Sequence, residues 1–111
     1  MGGRRNWTIE DNVVALYVAH YRDDGLILPK GEIRHLIERT GIPKKAFLMR
    51  LSNYRYIVTD GKEGLDAGYK NGYHEYKKLH LLFKSFNKDT FTDYVNMILK
   101  TKMNLKEGKK D

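Results

Sequence analysis

Apolar residues recur along this chain mostly at three- and four-residue intervals, a spacing that predicts helices rather than strands. Ile9, Val13, Leu16, Tyr17 and His20 share one face of a first helix, expected to run to about Tyr21. Thr8 is a good N-cap for it, and Glu10 and Asp11 suit the positive end of its dipole. Trp7 can pack back onto the same core. Arg22-Asp23-Asp24-Gly25 ends the helix, and Leu26-Ile27-Leu28-Pro29 is a short apolar crossing. Ile33, Leu36 and Ile37 then mark a second helix, Gly31 to Arg39. Phe47, Leu48, Leu51 and Tyr54 mark the apolar face of a third, Pro43 to about Tyr56. Between these two lies Thr40-Gly41-Ile42-Pro43: glycine supplies a turn conformation and proline fits the start of the next helix. Two short helices joined by a glycine-containing turn, the second carrying basic and amide groups, have the plan of a helix-turn-helix.

The second half of the chain is less regular. Asp60-Gly61-Lys62-Glu63-Gly64 reads as a loop, and residues 65 to 73 as an irregular, glycine-rich segment. A fourth helix, about His74 to Ser85, places Tyr76, Leu79, His80 and Phe83 on one side. Asp89 or Thr90 caps a fifth, in which Phe91, Tyr94, Val95, Ile98 and Leu99 form the clearest amphipathic stripe of the sequence, ending near Met103. The predicted fold is mainly α, about five helices around the helix-turn-helix, with at most a short two-stranded addition at Leu26–Leu28 and Ile57–Thr59. Residues 1–6 are expected to be a flexible basic arm, 7–103 a single helical domain and 104–111 a disordered lysine-rich tail. The expected core includes Trp7, Val13, Leu16, Leu36, Phe47, Leu51, Leu79, Phe83, Val95 and Ile98.

Composition narrows the chemistry. With 111 residues and thirteen aromatics, the chain can bury one small core. It has no cysteine, which removes disulfides, thiolate metal sites and cysteine nucleophiles and fits a cytoplasmic location. The amino terminus has no apolar run of the signal-peptide kind, and no stretch approaches the ~18 apolar residues of a membrane span. His74-Glu75 with His80 lacks the i, i+4 spacing of a zinc-protease helix. His20 and His80 read as core-edge residues, and Asp23-Asp24 as a solvated turn rather than a metal site. No phosphate-loop motif is present. No catalytic residue, cofactor or metal is therefore expected.

Charge points elsewhere. The formal net charge is +7, and it is concentrated: residues 1–40 balance to zero, 41–88 carry +6 and 89–111 carry +1. A basic excess that begins at the third helix favours a polyanion. Lys44, Lys45, Arg50 and Arg55 lie on or beside that helix, on whose polar side Met49 and Asn53 also fall. Asn53 can pair bidentately with an adenine edge and Arg50 with guanine, while the early lysines suit phosphate. The plainer alternative is a basic helix facing solvent. Arg4 and Arg5 are either a minor-groove arm or a solubilising terminus. Tyr69, Lys70 and Asn71 sit on a loop able to reach a backbone or stack on bases, although its tyrosines serve equally as core anchors. The stripe of helix five is core first, with a homodimer contact through Phe91, Tyr94, Val95 and Ile98 as the second option.

Two resemblances add to this. Trp7-Thr8-Ile9-Glu10-Asp11 is similar to the W-T-x-E-[ED] opening of a Myb/SANT-type repeat. Glu38-Arg39-Thr40-Gly41-Ile42-Pro43, then Phe47-Leu48-Met49-Arg50-Leu51-Ser52-Asn53-Tyr54, then Gly64-Leu65 and Asn71-Gly72-Tyr73 form a more extended match. This run resembles the small helix-turn-helix module found ahead of the catalytic domain in some HNH-type restriction endonucleases. It covers roughly Trp7 to Phe83, and no HNH motif follows, so the resemblance implies a binding module without the nuclease. The expected function is non-enzymatic binding of double-stranded DNA, either as a small prokaryotic or phage regulator of transcription or as the binding module of a restriction-type system. The alternative is a phage or mobile-element protein that binds and modulates a host protein; a nuclease with an unrecognised site comes third.

Overall fold

The central element is α1 (Ile9–Tyr21), on which both α3 and α5 pack in the computed structural model, which describes residues 7–65 and 73–107. Its continuous run from Val13 to Ala19 is buried on every side. A helix apolar all round belongs inside a fold, whereas the sequence spacing had suggested a single buried face. The expected face is wrong at both ends: Ile9 is 69% exposed and His20 is exposed, while Val14, Ala15, Val18 and Ala19 are buried. Each fully buried side chain of the Val or Leu class contributes about 1.5–3 kcal/mol.

The start of α1 is closed by its own side chains. Asp11 donates its backbone N–H to Thr8 Oγ1 at 3.1 Å, and Asp11 Oδ2 accepts the Thr8 backbone N–H at 2.9 Å, a complete capping box. Asp11 is fully buried, and its Oδ1 accepts from Lys102 Nζ at 2.6 Å. The Trp-Thr-x-x-Asp opening thus has a structural task here, tying α5 to the first turn of α1.

Helix α2 (Lys30–Arg39) begins after Pro29, with its first N–H donated to Asp23 Oδ2 at 2.8 Å. Asp24 forms an ion pair with Lys88, so both acids of the 23–24 turn hold neighbouring elements. Asn96 fastens the crossing that follows: Nδ2 donates to the Gly25 carbonyl at 3.1 Å and Oδ1 accepts from the Ile27 N–H at 2.9 Å. Ile33, Leu36 and Ile37 are buried, as their spacing predicts. At Gly41, φ is +116°, a region that favours glycine, and Ile42 beside it is buried. Helix α3 (Lys44–Val58) then packs on α1 through Phe47, Leu51 and Tyr54.

Helix α4 (Tyr73–Lys84) lies on α3, and α5 (Lys88–Glu107) lies on α1 and α2. All regular elements among the described residues are helices: Ile57 and Val58 complete α3, and Leu26–Leu28 is irregular. α5 continues to Glu107, past the expected end near Met103. Phe91, Val95 and Ile98 are buried against this chain's own core, as the first reading of the stripe expects, which leaves them out of reach of the homodimer contact that was the second option; of that set only Tyr94 is partly exposed. Phe83 stacks on Phe91 at 4.8 Å and on Tyr94 at 5.8 Å, closing the α4–α5 turn.

Candidate nucleic-acid interface

At about 100° per residue, Lys45, Met49, Ser52 and Tyr56 fall on one side of α3, opposite Phe47, Leu51 and Tyr54, with Lys44 and Leu48 at its border. The two halves of this outer side differ. In the first half Lys44 and Lys45 are exposed, with Leu48 at 39% and Met49 at 53% exposure. Leu48 had been assigned to the apolar face, but it lies beside the lysines. The second half is covered by the loop after the helix. Gly64 lies so close that a Cβ there would come within 2.2 Å of the Ser52 carbonyl oxygen, and the Leu65 N–H donates to that same oxygen at 3.0 Å.

This loop overturns the role expected of Asn53. The side chain is 7% exposed, and its Nδ2 donates to the Leu65 carbonyl at 3.0 Å, so it fixes the loop and cannot reach a base edge. Arg50 is also engaged internally. Its guanidinium lies 4.0 Å from the Trp7 ring centroid and 4.7 Å from that of Tyr76, and Nη1 donates to Asn12 Oδ1 at 2.5 Å. Tyr54 donates its hydroxyl to the same oxygen at 3.0 Å. Burial pushes the Tyr54 hydroxyl pKa well above its ordinary value, against the opposing pull of Arg50. Arg50 is therefore a cation held between aromatic rings, where removal from solvent strengthens the attraction. Arg55 donates Nε to Glu63 Oε1 at 2.8 Å and Nη1 to the Ala19 carbonyl at 2.8 Å, satisfying an acceptor near the negative end of α1.

The first turn of α3 remains. Pro43 is its N-cap, no side chain caps it, and it holds no acidic residue. Lys44 and Lys45 occupy a position where the helix dipole is unfavourable to cations, with uncapped N–H groups nearby. An anion would relieve both. Further along the same side, Arg22, Lys30, Ser52 and Arg55 line a cleft of about 300 Å³ that also holds Glu63. Of the sequence-derived candidates, the structure thus brings Lys44, Lys45 and Met49 together on a free face and places Arg50, Asn53 and Arg55 in the packing. Arg4, Arg5, Tyr69, Lys70 and Asn71 lie outside the described residues. Arg22 and Lys30 were missed because they are distant in sequence from α3; their position just before and after the Asp23–Pro29 connection was the available signal. Among the described residues, no group of three or more histidines or acids could hold a metal ion.

No protein family, curated protein or solved structure matched the chain in comparison. The resemblance to the nuclease-linked module rests on the motifs alone.

Proposed function

We propose that this chain binds double-stranded DNA without catalysing a reaction, docking the start of α3 and the turn before it against the duplex. It would act as a small regulator or as the binding part of a restriction-type system. The observation that carries this reading is the uncapped, acid-free first turn of α3, with Lys44, Lys45, Leu48 and Met49 exposed together. In helix-turn-helix docking, the N-terminal residues of the second helix meet the base edges while neighbouring cations hold phosphate. Lys44 and Lys45 take the phosphate role. Leu48 and Met49 offer apolar contact of the kind that thymine methyl groups accept. With Asn53 and Arg50 committed elsewhere, most of the affinity is electrostatic, and sequence preference is modest.

The test is fluorescence anisotropy with a labelled random-sequence duplex over a range of salt. The expected result is affinity that falls with salt, and a slope that drops by about 1 in Lys45→Ala. Absence of duplex binding at low salt, or a slope unchanged in the variant, would refute the proposal.

A further inference from the structure

We propose that the cleft between the end of α1, the start of α2 and the second half of α3 is a phosphate-binding site, for a phosphate group of a duplex backbone or of a small phosphorylated ligand. At about 300 Å³ it lies at the small end of the range for ligand pockets. Its cations come from three elements: Arg22 caps α1, Lys30 opens α2 and Arg55 lies in the last turn of α3. Val18, Ala19 and Leu51 form the apolar part of the wall. Arg22 and Lys30 are exposed, and neither side chain has a hydrogen bond or ion pair among the described residues. The same holds for the Ser52 hydroxyl, a further donor in the lining.

The backbone singles out Arg22. Its φ of +61° and ψ of −132° are close to the first central position of a type II′ turn, closed by the Asp24 N–H donating to the Tyr21 carbonyl at 3.3 Å. Glycine dominates that position, so an arginine there bears strain. Strain of this kind gathers at functional sites, and here the strained residue returns no side-chain contact to the fold.

The neighbouring negative groups are already engaged. Glu63 is the acid in the lining, and Arg55 Nε donates to it at 2.8 Å. Asp23 accepts the Lys30 backbone N–H, and Asp24 pairs with Lys88. Glu32, two residues past Lys30 on α2, does not share its face, and Asp60 of the loop is outside the lining. The carbonyls at the end of α1 would repel an anion, but Val18 accepts from the Arg22 N–H, Ala19 from Arg55 Nη1 and Tyr21 from the Asp24 N–H. Three cations against one acid leave a surplus of two positive charges. Phosphate suits this better than a carboxylate, because it presents more oxygens to donors arriving from three elements.

The test uses two probes on the full chain at low salt: the labelled random-sequence duplex, read by anisotropy, and inorganic pyrophosphate, read by calorimetry. The variants are Arg22→Gly and Lys30→Gln, with Lys100→Gln as an exposed control of equal charge change on α5. At least one probe should lose about tenfold or more in affinity in both cleft variants and keep it in the control, because a charge-assisted hydrogen bond is removed. The urea midpoint of Arg22→Gly should hold or rise, since glycine relieves the turn. Loss confined to the duplex assigns the site to a backbone phosphate, a result that rests on the duplex-binding reading. Loss of pyrophosphate binding supports the site even if the chain binds no duplex. Failure of the parent to bind either probe, or binding indifferent to both cleft variants, would overturn the inference. In the second case duplex binding sensitive to Lys45→Ala would leave the duplex-binding reading intact. An equal loss in Lys100→Gln would overturn the inference by showing diffuse charge attraction. A midpoint that falls in Arg22→Gly would overturn it by showing that Arg22 serves the fold.

Discussion

Two helix starts in this molecule are built in opposite ways. α1 opens with a side-chain cap, a reciprocal acid and a mostly buried lysine partner, all supplied by the chain itself. α3 opens after a proline, without a side-chain cap, and puts two lysines where the dipole is positive. The first arrangement serves stability. The second forgoes stability that an aspartate or glutamate in the same turn would have given. The difference separates residues that hold the fold from residues left to meet something outside it.

The largest effect should come from the closed start. Asp11→Ala would take from the mostly buried Lys102 its ion-pair partner and would also remove half of the capping box, for a loss of about 3–5 kcal/mol. Urea unfolding measures this; a loss below ~1 kcal/mol would mean that the pair does not hold α5 in place. Thr8→Ala removes the cap acceptor alone and should cost about 1 kcal/mol in the same experiment. Asn53→Ala should cost about 0.5–1.5 kcal/mol by freeing the loop at Leu65, while leaving any preference among duplex sequences unchanged. A shifted preference would return Asn53 to the role of base reader.

The smallest effect concerns pH. Burial, then the charges of His20, Lys84 and Lys77, hold the His80 imidazole below its ordinary pKa. The unfolded chain therefore binds a proton that the folded chain resists. The contribution is complete above the unfolded value of 6.5 and is lost as pH falls through the lower folded value. His80→Gln should flatten the stability curve below about pH 6.5, measured as the urea midpoint against pH. An unaltered curve would place the acid sensitivity elsewhere.

Much of this fold was legible in the sequence, because helix periodicity, the Thr8 cap and the Gly41-Pro43 turn are local signals. The start of α2 and both ends of α4 shift by a residue from expectation, α3 runs two residues past Tyr56, and the buried stripe of α5 follows its spacing. What escaped was tertiary. The run Val13–Ala19 shows no single face because the helix is surrounded, so periodicity could not reveal it as the centre. Asn53 and Arg50 carry the side chains of base readers, but a returning loop anchored by Gly64 takes one and two aromatic rings take the other. Asp11 gives no local sign that its partner is Lys102, far along the chain. The candidate site shrinks accordingly, from a whole basic helix to its first turn and the residues beside it.

The most direct test of the contrast between the two helix starts is to reverse the charges at the second. In Lys44→Glu/Lys45→Glu, each change places an acid at the positive end of α3, so the protein should be more stable by about 0.3–1 kcal/mol per site. Its duplex affinity at low salt should fall below detection, because two phosphate contacts become two repulsions. Measured together on one sample, a raised urea midpoint with lost duplex binding is the predicted result. A variant that binds duplex as the parent does, or that loses stability and binding in step, would contradict the assignment of this turn as the docking surface.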